Sequence, residues 1–286
     1  MMIIRNHISY MNKENRQLMG LNIKYIKYIK YMKKYVNSPY EKIPEELLLG
    51  YTMNGKIPIF DWYCDDVGLK IPKWDKFCID SYINRFTPSN IRNNTEGRSN
   101  YGNEACLNLL NAFIDFNIRN KKVAVVGSRN PWIEAILLNL QNNVTTIEYN
   151  VPIATHDNPN LTCKDYFEFF VNNMNTFDVI ISFSSIEHSG LGRYGDPLDP
   201  DGDIKTMQII HNNLKQDGLL IWGAPVGKDC VAWNAHRVYG EIRLPLLFTN
   251  FKELDWYGHK KKELLSGMFS KNDKTGYQPV VVLKKN

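Results

Sequence analysis

Glu187 and His188 stand side by side after the apolar run Phe177-Asp178-Val179-Ile180-Ile181-Ser182 and are the residues best suited to moving a proton. Histidine titrates near neutral pH, so His188 fits a general base, with Glu187 either touching a substrate or tying down the loop. Just beyond, Arg193, Tyr194 and Asp196 lie in a loop punctuated by Gly190, Gly192 and Gly195. A guanidinium there can grip a carboxylate or phosphate bidentately, or pair with an acid of its own loop. His236, followed by Arg237, is a second base candidate. A different chemistry is implied upstream. The run from Lys121 to Val126 breaks at Gly127-Ser128-Arg129-Asn130, and Glu148 closes the run Val144-Thr145-Thr146-Ile147, 21 residues beyond Gly127. At about that offset a nucleotide-binding fold places a carboxylate on ribose hydroxyls, while the glycine permits close backbone approach. An ordinary turn acid is the competing role for Glu148.

These residues need a frame that brings them together. Val123–Val126, Val144–Glu148, Asn160–Cys163, Phe177–Ser182, Gly218–Gly223, Phe251–Tyr257 and Pro279–Leu283 are short, apolar or β-branched runs that read as seven strands. Helical patterns separate them, at 131–138, 166–174 and 203–215, and Asn103–Phe116 forms an amphipathic helix ahead of the first strand. Alternating strands and helices predict an α/β fold, a doubly wound and mostly parallel sheet with helices on both faces. Ligands of such sheets sit at the carboxyl ends of the strands, where every residue named above falls. The expected organisation is a basic aromatic helix over 1–36, a Pro- and aromatic-rich cap over 37–103, and the α/β domain over 104–286.

The formal net charge of +5 is unevenly distributed. Residues 1–36 hold eight Lys/Arg and one Glu, against 27 bases and 29 acids in the rest. A nearly neutral body argues against a nucleic-acid substrate, which calls for a basic face on the folded domain. Lysines 24, 27, 30 and 33 spiral around a helix, so residues 21–36 either lie on an anionic membrane surface or pack their Tyr and Ile on the body. Five scattered cysteines without a CxxC pair suit reduced thiols, and no run approaches a membrane span. A cytoplasmic protein is expected. Asp199-Pro200-Asp201-Gly202-Asp203 has oxygen-rich spacing, but its glycine comes early and no glutamate closes a calcium loop. No metal is expected, and Asp203 reads as a helix cap.

Ser184-Ser185-Ile186-Glu187-His188 resembles the turn after the fourth strand of class I S-adenosylmethionine-dependent methyltransferases. Ile209 to Pro225, containing Leu214-Lys215-Gln216-Asp217-Gly218 and then a strand ending in Pro, is similar to their helix–turn–fifth strand segment, as is the stretch from His236 to Tyr257. The longer Glu187-to-Asp203 signature resembles a methyltransferase-like family without an assigned function. The resemblance covers 104–286 and implies methyl transfer to a small polar acceptor, such as a sugar or glycan intermediate. It implies S-adenosylmethionine held by Gly127, Ser128, Asn130 and Glu148, with Asp165 facing the adenine or capping a helix. It also implies a proton taken by His188 or His236. The family's first motif carries three glycines and a preceding acid; here only Gly127 stands in that stretch. A catalytically inactive scaffold, or an NAD- or nucleotide-binding protein of the same fold, therefore stays open.

Overall fold

The computed structural model describes residues 39–166 and 174–286. The expected basic helix at 1–36, its membrane contact, and most of the helix expected at 166–174 lie outside the described residues. Twelve strands follow in chain order: β1 (Ile59–Trp62), β2 (Lys73–Asp75), β3 (Lys122–Val126), β4 (Asn143–Glu148), β5 (Ile153–Thr155), β6 (Leu161–Asp165), β7 (Phe177–Phe183), β8 (Leu214–Gly223), β9 (Cys230–Asn234), β10 (His236–Val238), β11 (Phe251–Tyr257) and β12 (Val280–Lys285). Seven of them form one sheet in the order β11-β12-β8-β7-β3-β4-β6. All run parallel except β12, which is antiparallel to both its neighbours. The seven strands expected from apolar runs are these seven. Their order, reversing direction at β3, is that of the class I methyltransferase fold.

Successive residues of β3 face opposite sides of the sheet, and each side has its own core. Val123 and Val125 join Cys106, Leu109, Leu110, Phe113, Ile133 and Ile136 from helices Gly102–Asp115 and Trp132–Asn139. Ala124 and Val126 join Met207 and Ile210 from helix Gly202–Asn213, with Tyr239 and Leu244. Burial on both faces explains why the central strands β3, β7 and β12 are nearly continuous apolar runs without alternation. Each fully buried Val or Leu stabilises the fold by roughly 1.5–3 kcal/mol relative to exposure.

Residues 39–101 are joined to this body by strand pairing and by packing, with Trp74, Ile79, Phe86 and Ile91 inside the main core. β1 pairs in parallel with β9, and β2 with β5. Leu47, Tyr51 and Ile57 pack on Leu191, Leu198, Val231 and Trp233. Local signals set the cap's helices: Asp75 caps Lys76–Arg85 by accepting the Cys78 N–H, and Thr87 caps Pro88–Asn93 by accepting the Asn90 N–H. Among the described residues no helix is long and apolar enough to cross a membrane, and no cluster of His, Cys, Asp and Glu could hold a metal ion.

Candidate functional site

The sheet reverses its strand order at β3, and the crevice above β3, β4 and β7 holds a cavity of about 250 Å³. Gly127, Ser128, Asn130 and Glu148 line one end, and His188, Tyr194 and Asp196 the other. Gly127 has φ +80°, and a Cβ there would stand 1.9 Å from the Ser185 hydroxyl oxygen. Both facts demand glycine: the left-handed backbone, and the turn after β7 pressed against the turn after β3. The Ser128 hydroxyl lies 3.1 Å from Glu134 Oε2 and 3.2 Å from the Asn130 carbonyl. Glu134, fully buried, also accepts a hydrogen bond from the Thr146 hydroxyl at 2.8 Å, and burial pushes its carboxyl up to about 7.

Glu148 ends β4 with its carboxylate accepting the backbone N–H of Tyr149 at 3.1 Å and that of Ser128. Burial holds it above the usual carboxylate range. A carboxylate has about four lone-pair positions, so this one retains acceptor capacity at the cavity wall. Next to it Tyr149 stacks on Tyr166 with centroids 4.1 Å apart, and the Tyr166 hydroxyl pairs with Thr206 at 2.9 Å. An acceptor carboxylate beside an aromatic stack and a glycine turn suits a nucleoside. Asp165 ends β6 in register with Glu148 and is not among the cavity-lining residues. It is the last residue of the strand and directly precedes Tyr166, where the described residues break off until 174.

Across the cavity, Ile186–His188 form a single 3₁₀ turn after β7. Glu187 is buried, its Oε1 accepting from the Ser184 hydroxyl at 2.9 Å and its Oε2 left without a hydrogen-bond partner among the described residues. Burial raises this carboxyl to about 7 against the hydrogen bonds and the Arg193 charge that lower it. His188 Nδ1 lies 2.6 Å from the Ala235 carbonyl, so that nitrogen must carry the proton. Nε2 is then the basic nitrogen, 3.7 Å from Glu187 Oε1. Burial, helped by the Arg193 charge, depresses the imidazole to about 3.

The expected acceptor-side residues divide. His188, Tyr194 and Asp196 line the cavity, whereas Glu187, Arg193 and His236 are not among its lining residues. Arg193 instead pairs with Asp66 of the cap at 2.6 Å, donates to the Ala235 carbonyl at 3.1 Å, and lies over the Tyr194 ring. His236 donates from Nε2 to the Lys274 carbonyl at 2.8 Å, its ring edge-on to Trp62. The Asp196 carboxylate accepts the backbone N–H groups of Gly190 at 2.7 Å, Gly192 at 3.2 Å and Tyr194 at 3.3 Å, which fixes the glycine loop. Asp203 accepts the first-turn Ile204 N–H of the helix Gly202–Asn213 at 2.9 Å, and beyond that expected role it is buried against Arg243 Nε at 2.8 Å and the Tyr239 hydroxyl at 3.1 Å, with Arg237 Nε at 3.6 Å. The arginines and the tyrosine lie 34 to 40 residues downstream, beyond what a turn pattern reveals.

Four wall features escaped sequence reasoning: Leu69–Pro72, Tyr101, the Tyr149–Tyr166 stack, and Glu134 behind the wall. Only Glu134 left a signal, as the lone acid inside the apolar helix Trp-Ile-Glu-Ala-Ile-Leu-Leu. Tyr101, Trp132 and Phe183 form an aromatic corner of the cavity, with centroids 5.3 to 6.2 Å apart.

Residues 120–286 match the family described as Caenorhabditis protein of unknown function, DUF268, and the chain belongs to that family. No curated protein matches it. Among solved structures, it is similar to the 1,6-didemethyltoxoflavin-N1-methyltransferase of Burkholderia thailandensis with bound 1,6-didemethyltoxoflavin and S-adenosylhomocysteine, at 15% identity and TM-score 0.44 over 62% of this chain and 76% of that one. It is also similar to the N-methyltransferase NodS of Bradyrhizobium japonicum WM9 in complex with S-adenosylhomocysteine, at 11% identity and TM-score 0.43 over 73% and 98% of the two chains. The fold is methyltransferase-type by this chain's own strand order, with β12 antiparallel between β8 and β11.

Proposed function

We propose that the protein is an S-adenosylmethionine-dependent methyltransferase acting on a small polar acceptor, with a sugar or glycan intermediate as the first class to test. One observation carries this above the rest: the Gly127 turn and Glu148 share a single cavity with His188 and Tyr194, at the carboxyl ends of adjacent strands. Glu148 would accept the ribose hydroxyls, with the Gly127–Asn130 turn against the amino-acid portion. When bound, the cofactor supplies an electrophilic methyl group on a sulfonium. Held there, it would pass that methyl to the acceptor's lone pair while the carbon–sulfur electron pair stayed with sulfur. His188 Nε2 faces the acceptor end as the base that takes the acceptor's proton, and Tyr194 orients the imidazole edge-on at 5.5 Å. A base so depressed in pKa works only on a proton released late in the transfer, so alignment of donor and acceptor supplies most of the rate.

The scaffold alternative draws on one observation: the Ser128 hydroxyl is engaged by Glu134 at 3.1 Å. Calorimetry with S-adenosylhomocysteine decides between them. The methyltransferase reading expects binding, and Glu148→Ala should weaken it by on the order of 2–3 kcal/mol through loss of charge-assisted bonds. No heat and no thermal shift at millimolar ligand would leave the scaffold.

A further inference from the structure

Ser128 has one hydroxyl proton and two acceptors in reach, Glu134 Oε2 at 3.1 Å and the Asn130 carbonyl at 3.2 Å. With Glu134 ionised, the serine can serve only one of them at a time. With Glu134 protonated on Oε2, the chain completes itself. The carboxyl O–H donates to Ser128 Oγ, Ser128 donates to the Asn130 carbonyl, and the Thr146 hydroxyl fills Oε1 at 2.8 Å. Its side-chain partners are both neutral hydroxyls, and its own backbone N–H in the first turn of the helix favours the charged form less than burial disfavours it. The titratable groups facing it are Glu148 on β4, Cys163 on β6 and Tyr82 on the Lys76–Arg85 helix, none of them a cation.

We infer that Glu134, held as a carboxylic acid, is a positioning residue for the nucleotide end of the cavity: through Ser128 it fixes the 127–130 turn, work that the family's additional glycines do elsewhere, and so places cofactor affinity under the control of one proton. This rests on the cofactor reading above. The turn so fixed presents the Ser128 backbone N–H to the Glu148 carboxylate and Asn130 to the cavity. Loss of the proton pulls the Ser128 hydroxyl onto Glu134 and leaves the Asn130 carbonyl with the Trp132 N–H alone, at 2.8 Å. Burial, which lifts the Glu134 carboxyl to about 7, sets this change near neutral pH. Its sign is distinctive, because ionisation of Glu148 would strengthen ribose binding as pH rises, whereas ionisation of Glu134 weakens it.

The test is S-adenosylhomocysteine affinity by calorimetry at about pH 6 and about pH 8 for wild type, Glu134→Gln and Ser128→Ala. Removing one net hydrogen bond should weaken wild-type binding roughly threefold to tenfold at the higher pH. Glu134→Gln carries a permanent donor and acceptor in place of the acid, and should bind tightly at both pH values. Ser128→Ala, which breaks the relay without touching the helix, should bind weakly and without pH dependence, and decides the matter even where Glu134→Gln does not fold. A flat wild-type response, or a slope surviving in either variant, overturns the proton control while leaving the cofactor reading intact. A wild type that binds no S-adenosylhomocysteine at either pH overturns both.

Discussion

Replacing Glu187 by Gln should make the protein's stability less sensitive to alkaline pH. The wild-type carboxyl is 1% exposed, with one oxygen served by Ser184 and the other by no hydrogen-bond donor among the described residues. Burial is the largest cause of its rise to about 7, from roughly 4.3 in an unfolded chain. An acid whose folded value is raised binds more protons folded than unfolded between those limits. The stability it contributes is therefore full below about pH 4 and lost as pH rises through 7. At about 1.4 kcal/mol for each tenfold change, ionising it by pH 8 costs on the order of 3 kcal/mol, of which about 2.5 falls between pH 5 and pH 8. Glutamine does not titrate. Urea unfolding of both proteins at those two pH values gives the number directly, because any fixed cost of the amide cancels in the difference, as does the titration of every other group. The Glu187→Gln protein should gain about 2–3 kcal/mol on wild type from pH 5 to pH 8. A gap that stays constant across this range would mean that Glu187 ionises at an ordinary value, and that the turn is open enough to hydrate it.

Gly127→Ala should lose roughly 2–5 kcal/mol of stability, from the left-handed backbone and from overlap with Ser185, which thermal unfolding would register. Asp203→Asn strips the charge from a buried carboxylate held low chiefly by the Arg237 and Arg243 guanidinium groups. It should cost about 3–5 kcal/mol in chemical denaturation at neutral pH, and wild type should lose the same stabilisation only as pH falls through the carboxylate range. His188→Ala should lower turnover by roughly 10²–10⁴ while sparing S-adenosylhomocysteine affinity, and His236→Ala should cost turnover far less, as steady-state kinetics beside calorimetry will show.

The central strands of the main sheet were legible because they are β-branched or apolar runs buried on both faces, as Val123–Val126 is before the turn at Gly127, whereas the edge strands β6 and β11 are largely polar and at least partly exposed. The glycine turn and the acid 21 residues on followed from the same grammar. The acceptor side was less legible. Arg193 meets Asp66 across 127 residues, and His236 meets the Lys274 carbonyl across 38. Local pattern can mark such side chains as polar and well placed in a loop, but cannot say which distant group neutralises them. Asp203 was legible only in part: its turn-rich neighbours pointed to the first-turn N–H that it accepts, and not to the two arginines that bury it.

The cavity spans the edge of the family match, and this bears on how far any acceptor assignment can travel. The end that holds Gly127 and Glu148 is built from β3, β4 and the turn at 127–130, all within residues 120–286. The opposing wall is so only in part, through His188, Tyr194 and Asp196. Leu69–Pro72 and Tyr101 come from the preceding segment, and Asp66 holds Arg193 from there both by its side chain at 2.6 Å and by its N–H, which donates to the Arg193 carbonyl at 3.1 Å. Arg129 in turn donates to the Lys70 carbonyl at 3.3 Å, so the wall is fastened at both ends of the cavity. Under the proposed function, residues 69–72 and 101 shape the acceptor's space together with the loop after β7, and substitutions at Ile71 or Tyr101 should change acceptor preference at constant cofactor affinity.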